Sequence, residues 1–201
     1  MSSTSDLNQR IAARVHALRS AQGLSLDALA TRCGVSRSMI SLIERGESSP
    51  TAVVLERLAT GLGVMLASLF DEAPAASASP VARRAEQPEW TDPQSGYVRR
   101  NLSPPGFASP IQLVEVRFPP GARVAYETTA RQSPTHQQVW VIDGAMDVQL
   151  GSETHRLAAG DCLAMQLDQP IIFSNPHRQA ARYLVAITAE ASAIPTARRA
   201  P

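Results

Sequence analysis

The sequence predicts a multidomain chain: a small all-α domain followed by an all-β domain. Three observations carry this prediction. Apolar residues recur at helical spacing through residues 7–70. Residues 73–93 are dominated by Ala, Ser, Pro and Glu, which bury too little surface to order themselves and predict a flexible linker. From about Tyr97 onward, short β-rich runs alternate with turn signals at close spacing, the pattern of a sandwich or barrel. The boundaries that follow are 6–72 for the helical domain, 73–93 for the linker, 94–190 for the β domain and 191–201 for a loose tail.

In the helical part, Leu7, Ile11, Val15 and Leu18 lie on one face, and Ser5 or Asp6 can cap the start. Gly23 ends that helix. Ser25 caps the next, which turns Leu26, Leu29, Ala30 and Cys33 inward, and Gly34 forces a turn. Ser36 caps a third helix whose core face is Ile40 and Ile43, and Gly46 closes it. Thr51 caps a fourth, with Val54, Leu55, Leu58, Ala59 and Leu62 inward; a short fifth helix covers Leu66 to Phe70. The polar face of the third helix is small and basic, built from Ser and Arg, and suits insertion into the major groove of DNA.

The β half holds seven runs: residues 111–118, 138–142, 146–150, 154–157, 162–167, 171–174 and 183–188. Pro119-Pro120-Gly121, Asp143-Gly144, Gly151-Ser152, Ala159-Gly160-Asp161 and Asn175-Pro176 separate them as turns.

Composition narrows the function classes. A formal net charge of +1 excludes a globally basic nucleic-acid binder, so any DNA contact must be a local patch. All 19 basic residues are arginine, which suits bidentate contacts to phosphates and guanine edges. Cys33 and Cys162 are far apart and show no metal or redox spacing, and each reads as a small buried hydrophobe. The first ten residues have no basic stretch leading into an apolar one, and no apolar run is long enough to span a bilayer. The expectation is a cytoplasmic protein with no membrane partner.

Leu24-Ser25-Leu26-Asp27-Ala28-Leu29-Ala30, followed by Gly34 to Gly46 and Ser48-Ser49-Pro50-Thr51, resembles the helix-turn-helix of phage repressors and xenobiotic-response-element-type regulators. The resemblance implies a double-stranded DNA operator as partner. It places Arg37, Ser38 and Leu42 against base edges, with Ser41 on the same face. Arg37 can offer two donors to guanine, whereas Leu42 contacts a thymine methyl or reads nothing. Ser25 and Ser36 stand at helix N-termini, where free N–H groups meet phosphates, although as N-caps they need no second role. Arg45 is a further phosphate candidate. The resemblance also implies that Glu44 pairs with Arg19 rather than with DNA. One departure is Met65, where relatives commonly carry a capping serine; an exposed methionine there would serve a dimer contact.

Phe118-Pro119-Pro120-Gly121, Val139-Trp140-Val141-Ile142-Asp143-Gly144 and Leu157-Ala158-Ala159-Gly160-Asp161 resemble a cupin, a double-stranded β-helix or jelly roll. Cupins usually carry a metal, but here the family's Glu position is Gln137 and a His position is Ile171. The His-x-His pair falls on Ala130 and Gln132 or on Arg131 and Ser133. His136 alternates away from the barrel interior. The expectation is therefore no metal and no cofactor. The residues expected to line a metal-free pocket are Tyr126, Arg131, Gln132, Gln137, Val139, Met165, Ile171 and Phe173, suited to a small organic acid or amino acid. A barrel packed solid and used only for dimerisation is the other reading. Trp140 alternates outward and reads as an interface or second-layer residue.

Together the two resemblances imply a dimeric transcriptional regulator that senses a small metabolite and is not an enzyme. The alternative is a metal-dependent cupin oxygenase or epoxidase with an accessory helix-turn-helix, which needs two histidines and a carboxylate on the inner wall. A third class is an antitoxin-like interaction module, for which a free-standing β domain is superfluous.

Overall fold

A computed structural model describes residues 4–70, 78–107, 109–127 and 134–189. The helical part comprises α1 (Thr4–Ala21), α2 (Leu26–Cys33), α3 (Arg37–Glu44) and α4 (Ala52–Gly61), then a 3-10 turn over Leu66–Leu69. The sequence-expected caps are in place. Ser25 Oγ accepts the Ala28 N–H, Ser36 Oγ the Met39 N–H, and Thr51 Oγ1 the Val54 N–H. Each satisfies one of the orphan donors at a helix start. Gly34 sits at φ 64°, and its N–H returns to Ala30 O, so the turn between α2 and α3 needs a residue without a Cβ penalty. α1 departs from expectation by starting at Thr4, ahead of both Ser5 and Asp6. Leu7, Ile11, Val15, Leu29, Ile40, Ile43, Leu55, Leu58 and Leu62 form the helical core.

Met65 is a correction. It provides no side-chain cap, yet it is half-buried against the core rather than exposed, because the domain behind it covers it.

A second 3-10 turn, Arg84–Glu86, leads into the β part: β1 (Glu89–Thr91), β2 (Val98–Asn101), β3 (Ile111–Phe118), β4 (Arg123–Tyr126), β5 (Thr135–Asp143), β6 (Ala145–Leu150), β7 (Glu153–Ala158), β8 (Cys162–Gln166), β9 (Ile171–Ser174) and β10 (Ala181–Ala189). They form a six-stranded sheet ordered β1-β2-β3-β10-β5-β8 and a four-stranded sheet ordered β4-β9-β6-β7, antiparallel throughout. This is a jelly roll of the cupin type. Val114, Val116, Phe118, Val139, Val141, Val185 and Ile187 of the larger sheet face Val124, Met146, Val148, Ile171 and Phe173 of the smaller one. Gly144 carries the chain from one sheet to the other at φ 77°; a Cβ there would lie 2.6 Å from Ala180 O. The seven expected strands are present, and β1, β2 and β4 are additional.

The two halves share one joint. Residues 89–92, read from sequence as the end of the linker, form β1 and its following turn, because Trp90 is too large and apolar to leave in water. Trp90 is 2% exposed and packs edge-on against Phe70 of the helical part (5.8 Å) and Tyr97 of the barrel (5.8 Å). The buried Asp92 carboxylate accepts the Ala52 N–H at 2.9 Å, in the first turn of α4, as well as the Ser95 N–H and hydroxyl. A carboxylate from the β domain thus caps a helix of the other domain, where the helix dipole favours it. Asn101 Nδ2 donates to Ala67 O, and α4 packs on β4.

Candidate DNA-reading helix and interdomain cavity

The N-terminal turn of α3 faces solvent. Ser36, Arg37 and Ser38 are exposed, as is Ser25 at the start of α2. Arg37 lies 3.5 Å from Asp27, but both side chains are largely exposed, so little holds Arg37 back from a new partner. The Ser36 and Ser25 oxygens are used as caps, which leaves the Ser25 O–H to donate outward, while the Ser36 hydroxyl also shares a 3.2 Å hydrogen bond with that of Ser38. Leu42 and Ser41 are partly buried. Ser41 and Arg45 bond each other, and Arg45 forks onto Glu47 at 2.8 and 2.9 Å. Both side chains are about half exposed, so this pair is solvent-screened and can yield to a phosphate. Met39, absent from the sequence expectation, is exposed beside Ser38. Its apolar side chain on the exposed turn of α3 was the available signal.

The frame under this helix is the pair expected from sequence. Arg19 Nε and Nη2 each reach Glu44 at 2.7 Å, His16 Nδ1 lies 3.0 Å from the same carboxylate, and Arg19 Nη1 donates to Leu24 O. Burial opposes ionisation of Glu44, but the hydrogen bonds from Arg19 and His16 outweigh it and hold the carboxyl below its ordinary value. The bidentate pair fixes α3 to α1.

A cavity of about 90 Å³ lies where the barrel mouth meets the helical domain. Measured this way, a water needs about 10–15 Å³, so there is room for several waters or one small organic molecule. Glu56 and Thr60 of α4, with Met65 and Leu66, form one wall; the barrel supplies the rest. Of the residues expected to line a pocket, Tyr126, Gln137, Ile171 and Phe173 do so. Val139 and Met165 do not. Both are buried on the inner face, but they contribute to the packed core away from the open space. Arg131 and Gln132 lie outside the described residues.

Sequence reasoning missed Tyr97, Arg99 and Tyr183 on the same wall. Tyr183 was reachable by alternation from Val185 and Ile187. Arg99 was not, because Val98-Arg99-Arg100-Asn101 has no apolar alternation. Burial pushes the Tyr97 hydroxyl up and those of Tyr126 and Tyr183 well above the ordinary tyrosine value, so all three are neutral donors at neutral pH. Arg99 is 6% exposed; its guanidinium stacks 5.4 Å from the Phe70 ring and donates from Nε to Asn101 Oδ1 at 3.2 Å.

The donor set does not fit the metal that this fold commonly carries. Gln137 faces the cavity as an amide and Ile171 as hydrocarbon, while His136 is exposed on the opposite face of β5. Among the described residues, no group of three or more His, Cys, Asp or Glu could hold a metal ion. No helix of the described residues is long and apolar enough to cross a membrane.

Comparison with known proteins places both halves. Residues 10–72 match the family described as a helix-turn-helix domain. The chain is 30% identical over 166 residues to the HTH-type transcriptional regulator SutR of Escherichia coli (strain K12), covering 83% of this chain and 87% of that protein. Its structure is similar to that of an HTH_3 family transcriptional regulator from Vibrio cholerae, with a TM-score of 0.75, 25% identity, and coverage of 94% of this chain and 100% of the other. Weaker likenesses run to hydroxypropylphosphonic acid epoxidase from S. wedmorenis (TM-score 0.46, 18% identity, 90% and 98% coverage) and to the cupin domain of an XRE family transcriptional regulator from Enterobacter cloacae (0.42, 17%, 49% and 100%). Neither bears on activity.

Proposed function

Since the chain belongs to the helix-turn-helix family of transcriptional regulators that carry a C-terminal cupin, we propose that it binds its operator as a homodimer, responds to a small metabolite held in the metal-free cupin domain, and catalyses no reaction. The observation that carries the sensing reading is the composition of the cavity wall. One side is α4 and the turn after it, so an occupant touches the DNA-binding domain and the barrel at once. A ligand that contacts two bodies acts on their relative position whenever it prefers one arrangement.

The dimer reading is supported by the outer face of the six-stranded sheet. Trp140 is 48% exposed there, flanked in register by Leu184 and Cys162, and Ile111 is 52% exposed on the same sheet. Two copies related by a twofold axis would set two α3 helices into half-sites about 34 Å apart, one turn of DNA. In this reading Arg37 and Ser38 contact base edges, with Ser41 and Leu42 alongside. Ser25, Ser36 and Arg45 contact the backbone. Sedimentation and gel-shift titration with the DNA flanking its own gene test this. The expected result is a dimer that shifts a specific fragment at lower concentration than random DNA. A monomer, or equal affinity for both DNAs, would sink it.

A further inference from the structure

Two consecutive arginines on β2 are both 6% exposed, yet they are treated differently. Arg100, on the outer face, is met by Glu115 at 2.6 Å and Glu89 at 3.6 Å. Arg99, on the cavity side, has no carboxylate in ion-pair contact among the described residues. Its Nη2 is buried with no hydrogen-bond partner. An uncompensated buried charge is unfavourable, and a buried unpaired donor adds to the penalty. Phe70 and Asn101 hold the guanidinium in place without supplying the opposite charge.

We propose that Arg99 receives the carboxylate of a small monoanionic ligand whose apolar body lies against the rings of the same cavity. This rests on the sensing reading of that cavity. The ring set matches such a ligand. Tyr97, Phe118, Tyr183, Phe173 and Tyr126 line the space and their rings contact one another in succession at 6.0–6.3 Å; the two ends of the series, Tyr97 and Tyr126, meet through their hydroxyls. Tyr126 donates to the Tyr97 hydroxyl, which leaves the neutral Tyr97 and Tyr183 hydroxyls to donate to an anion, whereas ionised ones would repel it. Glu127 is already paired with Arg57 at 2.6 Å, and Glu56 also lines the wall. Among the described residues Arg99 is the cation on the cavity wall, a single positive charge that matches a monoanion better than a dianion. Arg99 also stacks on Phe70 of the helical domain, so a carboxylate bound to it acts on the joint itself.

The test is thermal shift and calorimetric titration of the full chain with butyrate and benzoate. Butyramide, benzamide, inorganic phosphate, and a set of neutral and cationic metabolites run alongside. The expected result is that a carboxylate raises the melting temperature with dose and its amide does not. Arg99→Met then weakens carboxylate binding by about tenfold or more, and Arg99→Lys restores part of it. The carboxylate–amide comparison on the unaltered protein stands even if Arg99→Met fails to fold. Equal binding of acid and amide, binding of phosphate alone, or hits confined to neutral and cationic compounds would overturn the inference and leave the sensing reading standing. No hit in any class would overturn both.

Discussion

Replacing Arg37 with alanine separates DNA reading from folding, because the structure gives this side chain little to do in the folded protein. Among the described residues its ion-pair neighbour is Asp27 at 3.5 Å, with side-chain exposures of 65% and 76%, a geometry worth about 0–1 kcal/mol at most. Arg37 is also the first residue of α3, where a positive charge opposes the helix dipole, so its removal recovers part of even that small term. The melting temperature should stay close to that of the unaltered protein. Operator affinity should instead fall by about 1–3 kcal/mol, roughly 5- to 150-fold, if the guanidinium bonds a guanine edge. Fluorescence anisotropy against the operator, single-base variants of it and random DNA, each across a salt series, reads both quantities. Base contact predicts a loss concentrated at one position with an unchanged salt slope. A uniform loss on all sequences, with the slope reduced by about one, would move Arg37 to the phosphate backbone. No loss on the operator would refute the placement of α3 in the groove.

Other outcomes follow from the packing. Glu44→Gln keeps the shape but removes the charge under Arg19 and His16, and should lower stability by about 1.5–3 kcal/mol in chemical denaturation. The Glu44 carboxyl is held low in the folded chain, so its contribution is fully present above the unfolded value near 4.5 and is lost as pH falls through the folded one. Stability of Glu44→Gln and of the unaltered protein should therefore converge only once the pH has fallen below the lowered folded value; a constant gap down to strong acid would exclude the ion pair as the cause. Asp92→Ala leaves the first turn of α4 without its cap from the β domain and should reduce stability by about 1–3 kcal/mol. A single cooperative unfolding transition that splits into two in that variant would show the carboxylate joining the domains. If the proposed dimer forms through the outer sheet face, Trp140→Asp should dissociate it in sedimentation without altering the far-ultraviolet circular dichroism; a persistent dimer would place the interface elsewhere.

Local features were legible in the sequence because their physics is local. Ser25, Ser36 and Thr51 satisfy donors only three residues away, and Gly34 is required by its own backbone angle. The long strands were legible because strict alternation, as in β5, mirrors burial on one face. β1, β2 and β4 were not: β1 and β2 are three and four residues long, and β2 contains two arginines and an asparagine, so no period exists to detect.

Sequence alone thus determined the helix-turn-helix, its caps, the jelly roll and the absence of fitting metal donors at Gln137 and Ile171. The tertiary structure decided the rest. It made Trp90 and Asp92 a joint instead of linker, withdrew Val139 and Met165 from the cavity wall, and put Arg99 on that wall. The reason is distance along the chain. Arg99 stacks on Phe70, and the cavity it lines is built from residues spread between Glu56 and Ile187, which no short window of sequence contains.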